Sequence, residues 1–367
     1  MTHPITVEEL LKLKGQTPIL DVRTPDEFAK GHTPNADNLP LFTNEERARV
    51  GTTYKQQGRE AAILLGFDLA GPKWSGLIKQ ALTLAPQKKV AVHCWRGGMR
   101  SGAMAWALDL YGFDTYVLKG GYKHYRNWVR KQSEAPYKLH VIGGMTGSGK
   151  TKLLHELNKQ GEQTIDLEDL AQHQGSSYGT KNYLVQPSQE QFENNFAARL
   201  HQLDPDRKIW VEDESGNIGR CMIPRPFYDQ IRKAPLFDLQ VDAEQRITNL
   251  VAEYGALDKD YLIECTDRIR KRLGLQATKQ AITAIREDRM ADFIQLVLVY
   301  YDKAYRATLI GRDPALIFPI IIKGADAAEN VSRLLQAANS PQAAHNPQAA
   351  NSPQTTHNPQ ITWTPHQ

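Results

Sequence analysis

The chain is poor in cysteine, in sustained apolar runs and in net charge, and each shortage narrows what it can be. Only three cysteines, Cys94, Cys221 and Cys265, occur in 367 residues, and they stand far apart. That spacing excludes a disulfide framework and a CxxC metal site, and it fits a reducing compartment in which one thiol can work. No stretch approaches the ~18 consecutive apolar residues that a membrane span needs. The opening residues show no basic patch followed by an apolar run, so the sequence reads as soluble and cytoplasmic, without a membrane partner. Net charge is only +4, which permits a nucleic-acid partner without demanding one.

What is present is α/β wiring. At this length two cores are expected in place of one. Short apolar runs at Ile19–Val22, Val90–His93 and Thr115–Leu118 alternate with amphipathic stretches, which predicts a parallel sheet over 1–135. The pattern lapses at Ser133–Pro136, a linker signal. A second α/β domain over 136–338 starts from the strand Leu139–Ile142, with further strands near 163–167, 208–212, 236–241 and 317–322. It carries a basic helical insert at about 243–309. From 339 to 367 the text becomes polar, proline-punctuated and repetitive, and it reads as a disordered, non-catalytic tail.

Two motifs carry chemistry. In His93-Cys94-Trp95-Arg96-Gly97-Gly98-Met99-Arg100-Ser101 a cysteine lies between a predicted strand and a predicted helix, where backbone N–H groups and the helix dipole favour the thiolate. Gly97 and Gly98 let such a loop curl around an anion, and Arg96 and Arg100 supply cationic donors. Cys221 and Cys265 lack these surroundings and read as packing residues. The second motif, Gly144-Met145-Thr146-Gly147-Ser148-Gly149-Lys150-Thr151, fits the P-loop pattern in its required strand-to-helix setting. Gly144, Gly147, Ser148 and Gly149 would cradle a diphosphate, Lys150 would neutralise it, and Thr151 is placed to ligate Mg²⁺ if a metal accompanies the ligand.

Other signals stay open. Glu212 and Asp213, after Ile209-Trp210-Val211, read either as a Walker-B-like strand end or as an acidic surface turn. Arg268, Arg270, Lys271 and Arg272 read either as a solvated helix face or as a footprint for tRNA phosphates. Asp21 and Arg23 read as loop-holding residues. Trp95, Trp210 and Tyr228 are aromatic candidates for contacting a base or an apolar group.

Ile19-Leu20-Asp21-Val22-Arg23-Thr24-Pro25-Asp26-Glu27-Phe28, the segment Gly31–Pro40, the Cys94 loop and Leu118-Lys119-Gly120-Gly121-Tyr122 together resemble a rhodanese domain, in which Cys94 would be the chalcogen carrier. Five residues separate Cys94 from Arg100, whereas many sulfur-carrying rhodaneses have four. The wider loop is similar to that of phosphatases and arsenate reductases of the same superfamily. A rhodanese domain with this loop joined to a P-loop domain resembles the tRNA 2-selenouridine synthase family over 5–335. That resemblance implies replacement of sulfur by selenium in wobble-position 2-thiouridine of tRNA, through an S-geranyl intermediate. The substrates would be selenophosphate and geranyl diphosphate, with no tightly bound cofactor, and a selenophosphate-supplying enzyme is an expected partner. Two alternatives remain: a cysteine phosphatase or arsenate reductase fused to a P-loop kinase, and an RNA-binding regulatory ATPase with a vestigial rhodanese module.

Overall fold

The computed structural model describes residues 2–13, 15–173, 178, 185–322 and 326–339. Strands β1 (Thr2–Ile5), β2 (Ile19–Asp21), β3 (Ala36–Asn38), β4 (Lys89–His93) and β5 (Asp114–Leu118) form one sheet in the order β1-β5-β4-β2-β3, parallel throughout. Val90, Ala91 and Val92 are all buried, as expected of a strand covered on both faces. Because the strands run the same way, the ends of β2, β4 and β5 deliver Asp21, Cys94 and Gly120–Gly121 to one rim.

The second sheet contains β6 (Leu139–Gly144), β7 (Gln163–Ile165), β8 (Ile209–Glu212), β11 (Leu236–Gln240) and β12 (Ile317–Ile321), in the order β12-β11-β6-β8-β7. A small antiparallel pair, β9 (Asn217–Ile218) and β10 (Cys221–Met222), lies between β8 and β11 in sequence. Strand order reverses at β6, so the loop after it opens at the crevice where parallel α/β sheets bind ligands. The helix Lys150–Lys159 starts directly behind that loop.

The basic insert is helical, as expected, with helices Ala243–Tyr254, Lys259–Arg268, Arg270–Leu273, Leu275–Arg286 and Met290–Leu309. It closes around its own core of Leu262, Cys265, Ala281, Ile285, Phe293 and Val297. Cys221 is buried in the core of the second sheet, so both of these cysteines pack. The last described helix, Ala327–Asn339, ends where the tail is expected to begin, and 340–367 lie outside the described residues.

The two sheets meet through helix Gly121–Glu134 of the first half and helix Gln189–Leu200 of the second. Buried Asn194 donates to Tyr122 Oη at 2.7 Å and to His32 O at 2.9 Å, and it accepts from Arg126 at 2.6 Å. Tyr122 donates in turn to Glu190 at 3.0 Å, and Arg126 also pairs with Glu193.

Candidate active site

Cys94 leaves β4 into a loop that is locked from below. Tyr122 N donates to Cys94 O and Lys123 N to Trp95 O, each at 2.8 Å. The approach demands glycine. Gly97 has φ +65°, and a Cβ there would lie 2.7 Å from Leu118 O; one on Gly121, at φ +60°, would lie 2.4 Å from Cys94 O. Gly98 differs from expectation: its φ is −107° and a Cβ would meet nothing, so steric demand falls on Gly97 and Gly121.

The thiol itself is buried and sits 3.2 Å from Ser101 Oγ at the start of helix Met99–Leu110. Burial alone would push it up. Hydrogen bonds from the Ser101 side chain and backbone and from the Arg96 backbone, with the Arg100 charge, reverse this and hold the thiol below its ordinary value. Arg100 does this while bound to Glu27 at 2.6 Å, so its guanidinium is pinned at the rim and is not a free donor. Arg96 is exposed above the loop.

Beneath lies a buried polar column. Arg23 grips Asp21 through Nε at 2.9 Å and Nη2 at 2.5 Å, donates to Gly31 O at 2.7 Å, and stacks 3.7 Å over the Tyr122 ring. His93 faces Thr33 at 3.1 Å and is held below its ordinary value by burial. Asp21 and Arg23 thus hold loops, as their sequence positions suggest, and Tyr122 ties the column to the second domain.

The P-loop has left-handed glycines where a Cβ would clash: Gly144 with Ser148 Oγ at 2.6 Å, and Gly147 with Arg246 O at 2.9 Å. Lys150 folds back to Gly144 O at 3.1 Å. The insert fixes the loop's carbonyls, with Asn249 donating to Gly147 O at 2.9 Å and Arg246 to Thr146 O at 3.2 Å, while Arg246 is itself braced by Asp302 at 2.7 Å. No sequence signal marks Arg246 or Asn249, because their role appears only when the insert packs back.

A cavity of about 600 Å³ opens over this loop. Glu212 faces it together with Glu168 and Glu214, one oxygen of each lying within 4.8 Å of the others. Burial and mutual repulsion push these carboxyls up, Glu212 to about 7, Glu214 to about 8 and Glu168 to about 9, against the opposing pull of Lys150. Asp213 does not share this role. Its carboxylate is taken by Arg312 at 2.6 Å, with Arg232 nearby at 3.6 Å.

Of the basic run, Arg268 pairs with Glu264 at 2.7 Å, Arg270 with Asp267 at 3.3 Å, and Arg272 reaches Tyr300 Oη at 3.2 Å. The first two pairs are exposed, and none of these residues approaches either site. Trp210 is wholly buried in one core of the second sheet and offers no ligand face, while Tyr228 is half-buried against the other core of that sheet. Trp95 stays partly exposed beside Tyr122.

The same two halves are distinguished by comparison with known proteins. Residues 137–332 match the family model described as "tRNA 2-selenouridine synthase AAA domain", and 6–127 match "Rhodanese-like domain". The chain is 36% identical over 341 residues to a tRNA 2-selenouridine synthase of Shewanella denitrificans, covering 82% of this chain and 90% of that protein. It is 38% identical to that of Marinobacter nauticus, covering 74% and 80%, and 40% identical to that of Nitrosomonas europaea, covering 69% and 68%. The chain belongs to the tRNA 2-selenouridine synthase family and is an enzyme of tRNA modification.

Proposed function

We propose that this chain replaces the sulfur of wobble-position 2-thiouridine in tRNA with selenium in two steps, one at each anion trap. The observation that carries the reading is the pairing in one chain of a pKa-lowered, loop-enclosed thiol with a P-loop. Family membership favours it over a phosphatase–kinase fusion or a regulatory ATPase.

In the first step the thiouridine sulfur attacks C1 of geranyl diphosphate, the C–O bond breaks, diphosphate leaves, and the N3 proton of the base is lost to solvent. Gly144, Gly147, Ser148 and Gly149 would hold that diphosphate, and Lys150 would turn from Gly144 O to meet it. A divalent cation fits the same cavity, since Glu212, which lines it, has a buried Oε1 with no hydrogen-bond partner among the described residues. Thr151, Glu212, Glu168 and Glu214 would hold it, and it would offset charge between the carboxylates and the diphosphate. In the second step selenium of selenophosphate attacks C2, the C2–S bond breaks, and geranylthiol leaves with a proton. Water then cleaves the Se–P bond, releasing phosphate and 2-selenouridine. Cys94 and its loop orient the selenophosphate for that attack, with Arg96 as a cationic donor that has no carboxylate partner among the described residues. We place the enzyme in the cytoplasm beside a selenophosphate-supplying enzyme; among the described residues no helix is long and apolar enough to cross a membrane.

Nucleoside mass spectrometry on two variants tests this. Cys94→Ser should accumulate geranylated tRNA without selenouridine. Lys150→Ala should stop geranylation yet still convert pre-geranylated tRNA. Normal selenouridine from the first, or normal geranylation by the second, refutes the corresponding assignment.

A further inference from the structure

Helices Asn44–Gln57 and Arg59–Ala70 form a hairpin that lies beside the Cys94 loop. Little of its apolar surface is used. The first helix buries no residue fully and the second only Ala62 and Ala70, while Tyr54 and Phe67 remain 54% and 64% exposed. Between the hairpin and the sheet runs a groove of about 590 Å³, whose apolar wall includes Phe42, Tyr54, Ile63, Phe67 and Trp74. That size falls within the range of small-ligand pockets.

Two features identify what fills it. The groove shares a wall with the reactive loop: Met99, Arg100 and Gly102 line the groove, while Ser101, from the same helical turn, contacts Cys94 Sγ at 3.2 Å. The groove therefore begins within one helical turn of the sulfur, on the Met99 and Gly102 side of the helix that closes the Cys94 loop. Arg47 and Arg59 also line it and leave positive charge for a polyanion, whereas Arg100 is already bound to Glu27. A hydrocarbon chain tethered to RNA meets both conditions.

We propose that this groove binds the geranyl chain of the S-geranylated nucleoside while its C2 faces the Cys94 loop. The assignment rests on the geranyl-intermediate reading above and adds a second apolar-chain site, separate from the P-loop domain. It explains why a hairpin with so little of itself buried keeps apolar side chains along the groove.

The test compares full-length protein binding to tRNA bearing S-geranyl-2-thiouridine and to the same tRNA bearing plain 2-thiouridine. Gly102→Leu fills the groove from a helical position where a Cβ meets nothing, and Phe67→Ser removes an exposed apolar wall residue without disturbing the core. Wild-type protein should prefer the geranylated tRNA by about tenfold or more, and each variant should reduce that margin to about twofold while binding plain tRNA normally. No margin in the wild type, or a full margin in both variants, overturns the groove assignment. Vesicles of anionic lipid bound by the wild type and not by Phe67→Ser, with no geranyl margin, would overturn it in favour of a membrane surface. Failure of the underlying reading looks different: wild-type protein supplied with selenophosphate would leave geranylated tRNA unconverted.

Discussion

Asn194 belongs to the P-loop half, yet its replacement by leucine should be felt at Cys94. The side chain is fully buried and makes three hydrogen bonds across the junction, to Tyr122 Oη, to His32 O and from the Arg126 guanidinium. Two neutral bonds are worth about 1 kcal/mol each and the charged one about 2 kcal/mol. Tyr122 keeps Glu190, and Arg126 keeps Glu193 and Glu190 O, so only His32 O is fully orphaned. The net loss should therefore be about 3 kcal/mol, below the simple sum. Leucine fills a similar volume, which keeps a cavity penalty small. With Tyr122 Oη held by Glu190 alone, the bond from its N–H to Cys94 O loosens, the loop donors drift from the sulfur, and the thiol pKa rises. Calorimetry should show the single transition broadening or splitting as the halves uncouple, and the pH profile of iodoacetamide alkylation at Cys94 should move to higher pH. A loss below about 1 kcal/mol with an unmoved alkylation profile would refute the claim that this junction positions the loop.

Ser101→Ala removes the nearest donor to the sulfur, so the alkylation midpoint of Cys94 should move up with the fold intact; an unchanged midpoint would assign the lowering to the backbone and Arg100 alone. The Glu168, Glu212 and Glu214 carboxyls are raised above their unfolded values, so their contribution to stability is full below about pH 4.5 and is lost as pH climbs through about 7 to 9. Metal-free protein should accordingly melt at lower temperature at pH 9 than at pH 6, and Mg²⁺ should recover most of the difference; a flat profile that ignores Mg²⁺ would remove the cation from this site. Replacing Arg268, Arg270 and Arg272 by alanine should lower the log–log salt slope of tRNA binding by about 0.7 to 0.9 per lost phosphate contact, since their present exposed partners exchange cheaply. An unaltered slope would leave these residues as a solvated face.

The parts of the fold legible in the sequence are those where local pattern and buried environment agree. Val90–His93, Leu139–Ile142 and Leu236–Val241 announce themselves as strands because both faces of a parallel sheet demand apolar residues. Strands β1 and β3 do not, because edge strands such as Thr2–Ile5 and Ala36–Asn38 are short and largely unburied. The hairpin at 44–70 is equally silent, since its apolar residues line a groove and leave no clean core-facing stripe.

At the sites, residues bound to one contiguous loop were readable and residues brought in by packing were not. Glu168 reaches Glu212 only because β7 and β8 are neighbours, and Glu190 and Asn194 reach Tyr122 only because two helices from different halves meet. Glu212 and Asp213 both line the P-loop cavity and differ in the partners their side chains meet. Glu212 points toward Lys150 and Thr151, while Asp213 turns to Arg312. Glu214, just past the end of β8, joins Glu212 and Glu168 there, so three clustered carboxyls lie beside Lys150. A site with that charge balance repels a bare diphosphate, so either protons or a cation must enter with the ligand. The pH dependence of geranyl transfer with and without Mg²⁺ therefore reports directly on which of the two does so.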